Sequence, residues 1–273
     1  MYLSSRHKLI FILAVFAVLT LWTGYLLAGW IGLVAAMIMA ALIHLGGQRW
    51  TSSLLLRLHH AQAIEESHDP ELFFIVRHLA QRANVPSPRV YVTPERSPNV
   101  FAIGRDPSSA AIILTSGLRQ ALSREEQAAV MAHELAHIKS GDTPLMSMVA
   151  ILAEVPYILG HSMRKCWRGA LAEATVKQMA MPIVALLIRC LLTDVQELNA
   201  DELGAWMTGE PLVLASALLR IEAELVHTPM QHVTPATAHL FIVNPYALSG
   251  LTWFSGTHPS TQLRVSLLED MES

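Results

Sequence analysis

From residue 9 to residue 47 the chain carries no Asp, Glu, Lys or Arg. A helix rises about 1.5 Å per residue and ~20 apolar residues cross a bilayer, so this run is too long for one span and about right for two. Gly29 and Gly32 stand near its middle, where a reversal would fall. The expectation is a transmembrane helical hairpin over residues 1–48. The rival is a cleaved leader behind Arg6 and Lys8. Against it, the apolar core is too long, and a second apolar stretch follows where a polar start belongs. Arg6 and Lys8 flank one end and Arg49 and Arg57 the other, which places both ends, and the bulk of the chain, on the cytoplasmic side of an inner or plasma membrane. Of the 273 residues 52% are hydrophobic and only 15% charged, with a mean hydropathy of +0.39. That composition excludes disorder and makes the lipid bilayer an expected partner. A net charge of −3 without a long basic block argues against nucleic acid. Cys166 and Cys190 are too few for a disulfide scaffold and read as small hydrophobes.

Two weaker apolar runs follow. Residues 145–159 carry Glu154 and Pro156, residues 179–192 carry Pro182 and Arg189, and Arg164, Lys165 and Arg168 lie between them. If both spanned, those cations would fall on the far side, against the positive-inside bias. Three readings stay open: a second hairpin with Glu154 and Arg189 turned inward, a shallow interfacial pair, or two buried helices of the globular part.

The rest reads as a compact mixed domain. Asp69, Pro70 and Glu71 form a helix start, with an N-cap, a proline at the first position and an acid in the first turn, for a helix reaching about residue 83. Residues 89–93, 99–103 and 110–115 are short, rich in Val and Ile and bounded by turn residues, with 104–109 as a hairpin connection. They make a sheet of three or four strands. Ser123 and Glu126 match a capping box for a helix over 124–139, and further helices are expected over 194–208, 211–226 and 261–269.

Residues 133–137 read His-Glu-Leu-Ala-His. On a helix His133 and His137 share one face, so both imidazoles can reach one ion, while Glu134, turned about 100° away, can meet a water on that ion. A catalytic zinc takes three protein ligands and keeps a position open, and two His with one Glu is a known set. Glu197, on a later helix, completes it, and Asp201 four residues on can accept the distal N–H of a ligand imidazole. The bland reading of Glu197 and Asp201 is a pair of solvated helix acids; beside a His-Glu-x-x-His helix the ligand reading is adopted. Glu134 would take the proton of the attacking water and pass it to the leaving amine, with no acyl-enzyme.

These motifs carry a resemblance. Asn-Val-Phe-Ala-Ile-Gly at 99–104, the His-Glu-x-x-His segment with Gly141 and Asp142, Glu-Leu-Asn-Ala-Asp at 197–201 with Gly204 and Ala205, and Thr-His-Pro at 257–259 with Arg264 stand in the order found in HtpX-type membrane-bound zinc metalloproteases. Prenyl-protein (CAAX) endopeptidases are more distant. The resemblance covers most of the chain and implies a gluzincin with one zinc per chain, a cytoplasmic catalytic domain and a role in membrane-protein quality control, acting on misfolded membrane polypeptides. It also implies that His258 approaches the zinc from the side opposite the ligand helices, as a donor to the developing oxyanion, with Arg264 helping to shape the site. One departure stands out: the family often has Arg just before the ligand Glu, and here Gln196 stands there.

The resulting expectation is an α+β chain. It has the hairpin at 1–48, a zincin-like catalytic domain split between 49–142 and 194–273, and the second hydrophobic helical pair at 143–193. Asn99, Val100, Phe101 and Ala102 are expected to form an exposed sheet edge on which substrate adds as a strand. Two rivals remain. One is a prenyl-protein endopeptidase, which would need a large membrane chamber. The other is a non-catalytic membrane scaffold with a structural zinc site, against which an intact Glu134 argues. His59 and His60 are read as solvated, and His227, His232 and His239 as loop histidines without ligand spacing. Trp22, Trp30 and Trp50 read as interfacial anchors.

Overall fold

The computed structural model describes residues 4–167, 185–186, 188–231, 233–246 and 258–272. Half of the apolar run at 179–192, together with Arg168, His232 and Thr257, lies outside the described residues.

The charge-free run forms helix α1 (Ser5–Leu58), broken at Ala28 and Gly29. Gly29 has φ 56° and ψ −136°, a conformation that costs glycine little and other residues much. The two arms come back together, since Leu9 and Thr51 line one small cavity. The expected fold class, α+β with a transmembrane hairpin, is nevertheless corrected. The chain is mainly helical around one small sheet, and among the described residues no helix is long and apolar enough to cross a membrane. The break divides the run, and the outer turns of both arms are committed to the rest of the protein. The Ser5 hydroxyl binds Asp142, Lys8 Nζ donates to the Leu191 carbonyl at 2.9 Å, and Leu55 is completely buried.

Beyond α1 come β1 (Gln62–Ala63), α2 (Pro70–Ala83), β2 (Arg89–Thr93), β3 (Val100–Ile103), β4 (Ala111–Thr115) and α3 (Ser116–Ala121). They are followed by α4 (Arg124–Ser140), α5 (Thr143–Trp167), α6 (Asp194–Thr208), α7 (Pro211–His227) and α8 (Thr261–Asp270). Local chemistry explains the boundaries. Asp69 caps α2 through the Leu72 amide at 3.2 Å, with Pro70 at the first position. Ser123 and Glu126 close a reciprocal capping box on α4, and Gly141 ends that helix at φ 73°.

The sheet runs β1-β2-β4-β3. Strand β2 pairs parallel with β4, and β3 folds back antiparallel on β4 with Phe101 opposite Ile113. Alternation along β4 divides the core in two. Ile112 and Leu114 face a cluster with α2, α4, α6 and α7, whereas Ala111 and Ile113 face the end of α1, the first half of α5 and residues around Phe241. The start of the apolar run at 145–159 is thus buried against the sheet through Leu145, Val149 and Ala153. Glu154 is buried and accepts a 2.6 Å bond from Thr234 Oγ1, while Arg189 is exposed.

Candidate active site and metal centre

Helix α4 is buried on nearly every side, so the polar side chains in its middle have to find partners inside the protein. His133 and His137, one turn apart, bring their Nε2 atoms to 3.2 Å from one another. Helix α6 lies across α4 close enough that a Cβ on Gly204 would come 3.0 Å from the His133 backbone nitrogen. That approach delivers Glu197, whose Oε2 lies 3.6 Å from His133 Nε2 and whose Oε1 lies 3.4 Å from His137 Nε2. Among the described residues these three form the group able to hold a metal ion, with one ligand atom from each within 4.8 Å of the others.

The far side of each imidazole faces a carboxylate. Asp201 Oδ1 lies 2.8 Å from His133 Nδ1, and Asp142 Oδ2 lies 3.4 Å from His137 Nδ1. With the Nδ1–H atoms turned to these acids, both Nε2 lone pairs point at each other and at a carboxylate. Glu197 Oε2, moreover, is buried without a hydrogen-bond partner among the described residues. Electron pairs gathered in this way repel unless a cation stands among them, and two imidazoles with one carboxylate suit zinc. The residues present therefore fit a metal.

Electrostatics follow the same pattern. Burial lowers the pKa of His133 and His137, but Asp201 and Glu197 at the first, and Glu197 and Asp142 at the second, more than reverse it, so both pKa values rise. Burial raises Glu197, yet His258, His137 and His133 hold it well below the ordinary carboxylate range. Glu134 is only 2% exposed, and burial, against the pull of His133 and His137, pushes it up to about 7. Its Oε1 is buried with no hydrogen-bond partner among the described residues.

Arg264, on α8, grips Asp201 with two bonds, Nε to Oδ2 at 2.6 Å and Nη2 to Oδ1 at 2.7 Å, and donates Nη1 to the Ile242 carbonyl at 2.6 Å. His258 donates Nε2–H to the Phe241 carbonyl at 2.7 Å and turns Nδ1 toward Glu197 Oε1 at 3.9 Å. A cavity of about 550 Å³ opens beside His258 and Arg264, walled by Leu219, Val226, Ile242 and Val243.

The structure thus brings together His133, Glu134, His137, Glu197, Asp201, His258 and Arg264. Val100, Phe101 and Ala102 lie in β3, the last strand of the sheet, with Asn99 just before it. All four are buried, the Ile242 amide donates to the Val100 carbonyl at 3.0 Å, and the Asn99 side chain binds the Val243 carbonyl at 2.8 Å. Residues 242–243 thus lie against Asn99 and Val100, the beginning of that edge. Asp142, named in the sequence only as a motif neighbour, and Gln196, named there only as a departure from the family pattern, prove to be the support of His137. The signal was present in the Gly141 cap, which turns the next residue back toward the helix end, where its amide bonds the His137 carbonyl at 3.0 Å. His59 is the other correction: it is 4% exposed and packs on Phe101 and Phe241, while His60 is exposed. His239 is buried as well, with Nε2 3.1 Å from the Met146 carbonyl, and burial lowers its pKa to about 4.

The family model of peptidase family M48 matches residues 66–272. The chain is 35% identical over 282 residues to a protein named "Protease HtpX homolog" from Syntrophobacter fumaroxidans (strain DSM 10017 / MPOB), covering 98% of this chain and 100% of that one. Its fold is similar to that in the crystal structure of S. mikatae Ste24p, at a TM-score of 0.51 and 16% identity, over 97% of this chain and 64% of the other.

Proposed function

Because this chain belongs to peptidase family M48 and is a metalloprotease, we propose that it is a zinc-dependent endopeptidase with His133, His137 and Glu197 as the ligands of one zinc ion. The observation that carries this reading is the facing of two Nε2 atoms at 3.2 Å with Glu197 oxygens at 3.4 and 3.6 Å. When bound, zinc supplies a Lewis acid to the peptide carbonyl and lowers the pKa of a water. The chain's own residues do the rest. Glu134 takes the proton of the attacking water and delivers it to the leaving amine. His258 is held through Nε2 by the Phe241 carbonyl, with its Nδ1 edge turned to the side of the site where the oxygen becomes negative. Arg264 fixes Asp201, and Asp201 fixes the ring of His133. Substrate side chains enter the cavity beside His258, whose apolar walls favour apolar residues.

The substrates proposed are misfolded membrane polypeptides, in quality control at the cytoplasmic face of a membrane. The resemblance to HtpX-type proteases supports this, as do the exposed apolar side chains along α1, among them Trp22, Trp30 and Ile31. The test is metal analysis and a protease assay on the purified full chain. Wild type should hold one zinc and cleave an unfolded polypeptide, and Glu197→Ala should lose both. Equal zinc in the two proteins removes Glu197 from the ligand set.

A further inference from the structure

The two ligand imidazoles rest on unlike supports. Asp201, behind His133, is clamped by a buried arginine from the same core. Asp142, behind His137, is held by neutral donors: its Oδ1 accepts from Gln196 Nε2 at 2.9 Å and from the Ser5 hydroxyl. Gln196 Nε2 also donates to Ser5 Oγ at 2.8 Å. The amide is fixed at its other end, where Oε1 accepts from the Thr193 backbone N–H at 3.0 Å. The first turn of α1 is pinned nearby, through Lys8 Nζ and the Leu191 carbonyl at 2.9 Å. Two side chains, from the first turn of α1 and the first turn of α6, therefore meet on one carboxylate, that of the residue after the α4 cap.

We propose that Ser5 and Gln196 are positioning residues for the metal centre, holding Asp142 against His137 so that the first turn of the N-terminal helix is part of the metal-binding apparatus. This rests on the reading of His137 as a metal ligand. With Oδ1 occupied by two donors, Asp142 has Oδ2 left to present, and Oδ2 is the atom facing His137 Nδ1 at 3.4 Å. An acceptor fixed there keeps the proton on Nδ1, sets the tilt of the ring and reserves Nε2 for the metal. Asp201 needs no such help, since Arg264 reaches it from within the core. The hydroxyl on Asp142 comes from residue 5, so the placement of α1 reaches one ligand and bypasses the other.

The experiment uses the full chain and two readouts apart from activity: zinc affinity by competition with a chelating dye, and the visible spectrum of the cobalt-substituted protein. Asp142→Ala should weaken zinc binding about 10–100-fold, as loss of a ligand's outer partner does. Ser5→Ala and Gln196→Glu should each weaken it about 2–10-fold, the scale of one net hydrogen bond, and should shift the cobalt bands. Ser5→Thr keeps the hydroxyl and should restore wild-type affinity and spectrum, a rescue that a merely structural role for residue 5 does not require. Circular dichroism of the zinc-free proteins identifies any variant that has not folded, and the Ser5→Ala and Ser5→Thr pair then decides alone. Wild-type affinity in Asp142→Ala, or in both Ser5→Ala and Gln196→Glu, overturns the proposal, as does Ser5→Thr binding as weakly as Ser5→Ala. A wild-type protein that takes up no zinc defeats the proposed function instead.

Discussion

His59 packs against the rings of Phe101 and Phe241, with centroids 5.0 and 5.6 Å away, while His133 and His137 lie across the sheet from it among Glu197, Asp201 and Asp142. All three rings are buried. Burial, joined by the neighbouring His60, lowers the pKa of His59 to about 4; burial acts on the other two as well, yet their carboxylates carry both pKa values upward. A buried imidazole loses its proton by default, and only arranged acids reverse that. The acids around His133 and His137 therefore mark a place built for positive charge, and the aromatic setting of His59 marks one built for packing.

The largest expected effect belongs to the metal side of this contrast. Glu134→Gln should leave zinc content unchanged, because Glu134 is not a ligand, and should lower kcat by about 10²–10⁴-fold through loss of the proton carrier. Near wild-type cleavage by that variant would reduce the site to a structural cation site. Next in size, His258→Ala should lower kcat by about 10²–10³-fold with a much smaller change in KM and no loss of zinc, since its contact forms with the transition state. If zinc is lost as well, His258 is itself a ligand.

The aromatic side is broken by pH. His59 has a folded pKa of about 4 against an ordinary 6.5, so between those values the unfolded chain binds the proton and the folded chain does not. Its contribution is complete above pH 6.5 and is lost as pH falls toward 4, by about 3 kcal/mol at most. His59→Phe should flatten that part of the stability profile in denaturant titrations of the zinc-free protein at pH 7 and pH 5. Identical slopes in wild type and variant would show that His59 takes its proton without cost. The smallest effect expected here is that of Asp201→Ala, which should weaken zinc binding about 10–100-fold while leaving some metal bound. Undiminished affinity would mean that Arg264 and Asp201 hold the fold together rather than the ligand.

Much of the site is legible in the residues because its parts are local. The four-residue step from His133 to His137 puts both on one face of a helix, and the same step relates Glu197 to Asp201. The Ser123 and Glu126 box, the Asp69 cap with Pro70, and the Val- and Ile-rich strands likewise depend on neighbours a few positions away. Asp142 was harder to read, although the Gly141 cap that turns it back is local, because its meaning depends on Gln196 and Ser5. The strand at Asn99–Ala102 is recognisable as a strand, but nothing in its own residues reveals that 242–243 will lie against its beginning.

What the chain determined by itself is therefore the chemistry carried on single elements: which helix bears the imidazoles, which acid can join them, and where each helix starts and stops. Hydrogen-bonded turns and side-chain periodicity act within one or two helical turns, so the residues alone suffice. The tertiary structure decided which distant groups meet: that His59 is enclosed by Phe101 and Phe241, that Ser5 reaches Asp142, and that the outer turns of the apolar run pack on the protein. Those contacts join residues far apart in the chain, and they are selected by the packing of whole elements against one another, which no local pattern specifies.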